Sequence, residues 1–409
     1  MNPITAVVLG AGSRGSTYAG FAKEYPDQLK IVAIAEPRRD RLDALAEEVN
    51  VAEPYRFESW EALLDQPKMA DCAFICTLDD DHLAPALKAM ELGYHILLEK
   101  PMSNHEEECR LIAQKARETG CVLAVCHVLR YTPFYMTLKA LIDKGEIGQV
   151  TTINQIENVG YWHQAHSFVR GNWRSEKETS PMILQKSCHD MDIILWLMGK
   201  NCLRVQSFGS LKHFTPENAP KGAAKRCLDG CPYVDSCPYS APKLYLDMNR
   251  TGWPVDVITT DLSKAGRRKA LEEGPYGRCV YACDNDVVDR QVVNLEFEDG
   301  AVATFTMTGL SADFCRELKI FGTEGQIQAN MGTKEIVLHR FGEDKQVIPL
   351  DMGLEVSGHG GGDYGIMRDF LHVLRNGGQS RTSAEVSVQS HLICFAAERS
   401  RKENIVVTI

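Results

Sequence analysis

The sequence predicts an α/β protein in two parts. A doubly wound parallel sheet comes first, and an α+β region on a mainly antiparallel sheet follows. Three observations carry this reading. Through the first third of the 409 residues, buried-type apolar runs alternate with helical stretches, as β-α-β units require. A glycine-rich turn joins the first apolar run to the first helical stretch. In the last third, strand signals follow one another directly, which favours antiparallel pairing.

The elements follow in order. Ala6-Val7-Val8-Leu9 is an apolar strand that runs into Gly10-Ala11-Gly12-Ser13-Arg14-Gly15, and a helix continues to about Tyr25. A second strand over 31–35 ends in Glu36. Strand, G-x-G-x-x-G, helix, strand and acid make the full dinucleotide-binding order of a Rossmann unit. Gly10 permits the tight turn, Gly12 lets backbone approach a pyrophosphate, and Gly15 allows close helix–strand packing. The helix N-terminus offers free N–H groups to phosphate. Glu36 is placed to accept hydrogen bonds from ribose hydroxyls, and its charge repels a 2′-phosphate, so NAD is expected over NADP. Arg38 and Arg39, just beyond, are the residues that could reach such a phosphate.

A strand over 70–77 ends in Thr77; Asp79 to His82 supply helix N-cap candidates, and the helix runs to Leu92, with Gly93 closing it. A strand over 94–99 delivers Glu99 and Lys100. Thr77, His82, Glu99 and Lys100, at the carboxyl ends of these strands, complete the expected cofactor contacts. A helix over 104–119 stops at Gly120, and a strand covers 121–127. Beyond Tyr131 come a helix over 133–144, a strand over 150–159, a polar aromatic loop, and a helix near 189–198. Strands over 289–297, 301–308, 317–321, 326–330 and 335–340 follow, the first two joined as a hairpin by Glu298-Asp299-Gly300. Helices over 363–375 and 384–403 and a strand over 405–409 close the chain. The expected division is 1–130 for the cofactor domain and 131–409 for a substrate and assembly domain. A cysteine- and proline-rich insertion at about 212–286 holds seven of the seventeen prolines and five of the fourteen cysteines. Its lack of periodicity predicts that something other than a large apolar core orders it.

The formal charge of −10 argues against a nucleic-acid or anionic-membrane surface. No apolar stretch approaches the eighteen or so residues of a membrane span, and the opening run is only a strand long, so no signal segment is expected. A cytoplasmic protein with reduced cysteines is the expectation.

Leu98-Glu99-Lys100-Pro101-Met102, Asn172-Trp173-Arg174 and His189-Asp190-Met191-Asp192, with the glycine loop, make the sequence recognisable. It resembles the Gfo/Idh/MocA oxidoreductases, the family of glucose–fructose oxidoreductase and inositol 2-dehydrogenase, everywhere except the insertion. The resemblance implies an N-terminal Rossmann domain, a C-terminal domain on an open, largely antiparallel sheet, and a homodimer or homotetramer formed through that sheet. It implies NAD(P)-dependent chemistry on a small carbohydrate: a sugar, polyol, sugar acid or glycoside. It places Lys100 by the nicotinamide and the substrate hydroxyl, where its charge stabilises a developing alkoxide, and makes His189 the base that takes the hydroxyl proton.

One position departs from the family. Many of its sugar dehydrogenases carry an aspartate one helical turn before that histidine, and here Gln185 stands there, followed by Lys186. Gln185 can orient a hydroxyl but cannot relay a proton; Lys186 can supply a second cation. His127 stands where the family usually has asparagine, with Arg130 close behind. Tyr161, Trp162, His163, His166 and Arg170 form a loop ahead of Trp173 and Arg174. These rings and polar groups are expected to line the substrate site. Two other functions fit the same residues. One is an NAD-dependent glycoside hydrolase that oxidises transiently, eliminates and returns the hydride; the other is a non-catalytic NAD-binding sensor. Net NADH formation separates the dehydrogenase from the hydrolase.

In the insertion, Cys227-x3-Cys231-x5-Cys237 and Cys279-x3-Cys283 predict one structural zinc on the first three cysteines and one of the last two. Free thiols or a redox-labile disulfide in a loop are the second reading, and an iron–sulfur cluster on the same ligand set is the third.

Overall fold

A computed structural model describes residues 2–350 and 358–409. The first sheet has six strands: β1 (Ile4–Leu9), β2 (Leu29–Ala35), β3 (Arg56–Phe57), β4 (Cys72–Ile75), β5 (His95–Leu98) and β6 (Leu123–Val125). Their order is β3-β2-β1-β4-β5-β6, and every pair is parallel. The strand order reverses between β1 and β4, so the glycine loop after β1 opens at the crevice where such sheets bind ligands. Val7, Leu9, Ala73 and Ile75 enter the core on one face; Ala6, Val8, Cys72 and Phe74 enter it on the other. Burial on both faces explains the unbroken apolar runs.

The second sheet has nine strands: β7 (Val150–Asn158), β8 (Cys202–Ser210), β9 (Arg290–Phe297), β10 (Val302–Thr308), β11 (Cys315–Gly322), β12 (Gly325–Asn330), β13 (Glu335–Arg340), β14 (Gln346–Ile348) and β15 (Val407–Thr408). The order is β14-β13-β12-β11-β7-β10-β9-β8-β15, antiparallel except between β7 and β10. Val293, Leu295, Ala303, Phe305 and Met307 turn inward onto the helix Cys188–Met198. The reversal at Asp299 and Gly300, both with positive φ, makes the expected hairpin of β9 and β10.

Several elements were not in the sequence reading. Strands β3, β8 and β14 are additional. The insertion carries short helices Ala241–Tyr245, Val255–Ile258 and Lys264–Glu273, with a small apolar core of Leu244, Tyr245, Val255, Leu271 and Tyr276. The loop expected at 161–170 is a helical turn, Tyr161–His163, that widens into a π-helix, Gln164–Arg170, a form often found at functional sites. The helix Gly362–Asn376 returns to the first sheet, where Tyr364, Ile366 and Phe370 join the core of Tyr18, Phe21 and Phe74. Its apolar stripe finds there the surface that the opening helix leaves uncovered. Among the described residues no helix is long and apolar enough to cross a membrane.

Candidate functional site

The glycine loop has the geometry its residues predict. Gly10 has φ +95°, and a Cβ there would sit 2.5 Å from the Cys76 carbonyl oxygen. A Cβ on Gly15 would lie 1.9 Å from the Gly10 carbonyl oxygen, so only glycine lets the helix Ser13–Glu24 meet the strand. At Gly12 the nearest atom to a Cβ is 3.7 Å away, which leaves backbone accessible to a phosphate. That helix has no side-chain N-cap, so its first N–H groups remain for a ligand. Glu36 accepts hydrogen bonds from Ala11 N (2.8 Å) and Arg38 N (2.9 Å) and so braces the loop from beneath. Arg38 pairs with Asp40, and Arg39 with Asp43 and Glu53.

Four expected cofactor contacts, Arg14, Thr77, His82 and Glu99, are tied to the protein itself. Arg14 donates to Glu99 (2.7 Å) and Asp363 (2.7 Å). Glu99 also accepts from Tyr18 Oη (2.7 Å) and Lys100 N (2.9 Å). Burial opposes ionisation of Glu99, but the Arg14 and Lys100 charges outweigh it and hold the carboxyl below its usual range. His82 is buried and donates from Nδ1 to the Pro101 carbonyl (2.8 Å), fixing the turn that carries Lys100. Thr77 donates to the Asp81 carbonyl (2.6 Å) and closes the loop after β4.

Lys100 reaches across to the second part of the chain. Its Nζ donates to the Gln185 carbonyl (2.7 Å), at the end of the short helix Met182–Gln185. Four residues on, His189 is buried, and its Nδ1 has no hydrogen-bond partner. Burial, then the Lys100 charge, pushes its pKa well below the histidine range, so the ring is neutral near pH 7. Two further imidazoles flank it. His127 lies with its ring centroid 5.8 Å away and His359 at 6.2 Å. His127 is fully buried, which brings its pKa down to about 4, and it touches Asp192 at 4.0 Å.

His359 was missed from the sequence, although a signal was present. It lies in Gly358-His359-Gly360-Gly361-Gly362-Asp363. Positive φ at residues 359, 360 and 361 curls the backbone tightly and brings His359 Nδ1 to donate to Asp363 (3.0 Å). Arg14 on the other side, opposing the effect of burial, holds that carboxylate far below its usual range.

Lys186, expected as a second cation, is one member of a buried charge cluster. Its Nζ lies 3.2 Å from Glu157, Arg316 lies 3.0 Å from Glu157, and Arg316 lies 2.8 Å from Asp190. Burial pushes the Glu157 carboxyl up and the Lys186 ammonium down.

Other expected substrate contacts are braces of the fold. Arg130 grips Asp192 through two 2.7 Å bonds. His166 shares a 2.7 Å hydrogen bond with Tyr245 and stacks on Tyr276, and burial drops its pKa to about 3. Arg170 donates to the Arg278 and Tyr239 carbonyls (2.7 Å each), and Arg174 pairs with Asp284 (3.0 Å). In each case the insertion or the neighbouring helix supplies partners that sequence order conceals. Tyr161 and Trp162 line a cleft of about 730 Å³ with Tyr239 and Trp253, whose walls do not include Lys100 or His189. His163 packs between Trp253 and Phe314, its Nδ1 without a partner. Trp173 packs against Phe168.

The expected zinc site is not formed. Among the described residues no three His, Cys, Asp or Glu side chains are grouped to hold a metal ion, and all fourteen cysteines are free. Cys283 is turned aside, its Sγ donating to the Cys279 carbonyl (3.2 Å).

Comparison with known proteins accords with this geometry. Among relatives, YteT of Bacillus subtilis is 25% identical over 318 residues, which span 74% of this chain and 72% of that protein. The NAD⁺-dependent scyllo-inositol 2-dehydrogenase of Bacillus subtilis is 27% identical over 210 residues, 51% of this chain and 58% of that one. A levoglucosan dehydrogenase solved with NADH and L-sorbose superposes with a TM-score of 0.74 at 19% identity, over 100% of this chain and 99% of that one. The WlbA dehydrogenase of Bordetella pertussis, solved with NADH and UDP-GlcNAcA, superposes with a TM-score of 0.69 at 16% identity, over 100% of this chain and 99% of that one. At those identities the solved structures show the shared fold. Residues 4–127 match the model of an oxidoreductase family with an NAD-binding Rossmann fold, and residues 139–409 match that family's C-terminal alpha/beta domain. The chain therefore belongs to the Gfo/Idh/MocA oxidoreductase family.

Proposed function

We propose that this NAD-binding oxidoreductase moves a hydride between nicotinamide and a carbohydrate-type carbon bearing a hydroxyl or ketone, with NAD preferred over NADP. The observation that carries it is the meeting of Lys100 and His189. Lys100 Nζ is held 2.7 Å from the carbonyl one turn before a neutral, buried His189. Bound nicotinamide accepts or returns the hydride. Lys100 steadies the alkoxide as charge develops on oxygen, and His189 takes the hydroxyl proton. His359, backed by Asp363, stands against His189 and gives that proton an exit toward solvent, since its side chain is 41% exposed. This pair takes up the task that Gln185 cannot perform. The pairing of Arg38 and Arg39 with carboxylates supports NAD, because neither is free for a 2′-phosphate. Screening sugars, polyols, sugar acids and glycosides for net NADH formation tests the reading. Product without NADH would replace the dehydrogenase with the hydrolase, and cofactor binding with no turnover would leave the sensor.

A homo-oligomer formed through the second sheet belongs to the same proposal. Phe208, Val292 and Ile156, all exposed, fall in one row across β8, β9, β10 and β7. Light scattering at micromolar concentration tests it, and a monomer would refute it.

A further inference from the structure

We infer that the insertion builds a subsite for an acidic saccharide unit, in the cleft of about 730 Å³ that it lines together with the π-helix Gln164–Arg170. The inference rests on the carbohydrate reading above and names the kind of substrate: longer than one sugar, with a carboxylate on the unit away from the reacting carbon. Four aromatic side chains, Tyr161, Trp162, Tyr239 and Trp253, line the cleft. They meet edge to face, with ring centroids 6.1 Å apart for Tyr161 and Tyr239 and 5.4 Å for Trp162 and Trp253. Trp253 stays 43% exposed, so its ring is open to a ligand. Rings with an apolar body and a few polar groups beside them are the lining of small-molecule sites, and sugar rings offer apolar faces to such walls.

Charge selects among sugars. The chain carries a formal −10, yet the described residues lining the cleft include Lys243 and Arg250 and no carboxylate. Lys243 Nζ donates to the Asp235 carbonyl rather than to a carboxylate, and an ammonium has further N–H groups to give. Arg250 has Asp247 at 3.6 Å, too far for a good hydrogen bond. Arg170, also in the wall, is spent on the Arg278 and Tyr239 carbonyls. A cleft of this sign gathers anions. Ser240 is an independent observation. It lies in the same wall, is 2% exposed, and its Oγ has no hydrogen-bond partner. Buried hydroxyls are ordinarily paired, and a ligand oxygen supplies the missing partner. Side chains in contact join the cleft to the reacting pair. Trp162 meets Phe314 with ring centroids 5.6 Å apart, and Lys186 Nζ lies 5.3 Å from the Phe314 ring. Lys186 follows Gln185, whose carbonyl holds Lys100. Phe314 is 49% exposed. A saccharide with its reacting unit at Lys100 runs past Phe314 and Trp162, and its next unit falls in the cleft.

The test is calorimetric titration of the NAD-loaded full chain with di- and trisaccharides of galacturonate, glucuronate and mannuronate, and with their neutral counterparts. Acidic members should bind about tenfold tighter than neutral ones, as charge-assisted hydrogen bonds allow. Lys243→Ala/Arg250→Ala should abolish that preference, and Trp253→Ala should weaken the acidic members about three- to tenfold. NAD affinity and the unfolding midpoint serve as folding controls. No binding of any acidic member up to about 10 mM overturns the proposal. So does equal affinity for the neutral members, or a preference that survives the double substitution. Should Trp253→Ala fail to fold, the double substitution decides, since both of its side chains are exposed. Binding is read without turnover. A chain that binds acidic saccharides in the cleft and forms no NADH with any sugar keeps the subsite and loses the dehydrogenase reading.

Discussion

Replacing Lys186 by methionine should unbalance a buried charge cluster. Lys186 and Arg316 face Glu157 and Asp190, two positive and two negative charges. Glu157 meets both cations at ion-pair distance, 3.2 and 3.0 Å, and its charge depends on them. Methionine fills the lysine stem but leaves one net buried negative charge. Breaking a buried pair by removing one partner costs about 3–5 kcal/mol. For a chain of 409 residues that is a fall of roughly 3–6 °C in the unfolding midpoint. The penalty depends on pH. Burial already raises the Glu157 carboxyl in the intact protein, and loss of Lys186 raises it further. A group with a raised folded pKa contributes stability that is complete below its unfolded pKa and is lost as pH rises through the folded one. The gap between variant and parent should thus be small within the ordinary carboxylate range and should widen as the pH rises above it, with a slope of at most about 1.4 kcal/mol per pH unit. Urea midpoints by tryptophan fluorescence across and above that range read it directly. Lys186→Met/Glu157→Gln should recover most of the loss at high pH. A variant as stable as its parent at every pH, with a raised substrate KM, would make Lys186 a substrate cation and refute the cluster reading.

Lys100→Ala and His189→Ala should each lower turnover about 10²–10⁴-fold while leaving NAD affinity within a few-fold; near-normal turnover in His189→Ala at saturating substrate would move the base to His127 or His359. Because burial depresses the His189 pKa, the acid limb of kcat/KM for alcohol oxidation should lie below pH 6.5, with activity falling as the pH drops through it; a limb above pH 7 contradicts a buried neutral base. His359→Gln should slow proton release more than substrate binding, so kcat falls, its pH profile shifts and exogenous imidazole partly restores it, whereas an unchanged profile makes His359 a packing residue. Titration should show NADP binding at least tenfold weaker than NAD, and Glu36→Gln should narrow the gap; equal affinities in the parent protein would make Arg38 or Arg39 the determinant.

The cofactor half of the fold was legible because its rules are local. Gly10, Gly15 and Glu36 act within one β-α-β unit, and each constraint shows in the residue type. The alternating strands of the second sheet were legible for the same reason. What the sequence concealed was pairing at a distance. Arg130, His166, Arg170 and Arg174 carry the residue types of a sugar site, but Asp192, Tyr245, Tyr239 and Asp284 claim them. Nothing local distinguishes a guanidinium waiting for a ligand from one already spent on a carbonyl seventy residues away. The zinc expectation failed similarly. Spacing identifies cysteines that can meet, not whether the fold groups them around one ion.

The placement of His359 shows how one altered residue can be offset from elsewhere in the chain. The polypeptide is helical over Met182–Gln185 and again over Cys188–Met198, with a break at Lys186 and Ser187. Gln185 therefore serves through its backbone carbonyl, which holds Lys100, and an aspartate side chain there would bring a carboxylate to a lysine already engaged. The carboxylate near His189 comes instead from Asp363, one imidazole removed. Asp363 is shared with Arg14 of the glycine loop, so the residue that orients His359 is also fixed by the cofactor-binding turn. Arg14 in turn holds Glu99, next to Lys100. The two groups proposed to handle the substrate hydroxyl thus hang from one arginine, through Glu99 to Lys100 and through Asp363 and His359 to His189. A disturbance of the glycine loop should reach Lys100 through the Arg14–Glu99 pair and its bond to the Lys100 N–H, and His189 through Asp363 and the His359 ring contact, rather than through solvent, where screening would weaken it.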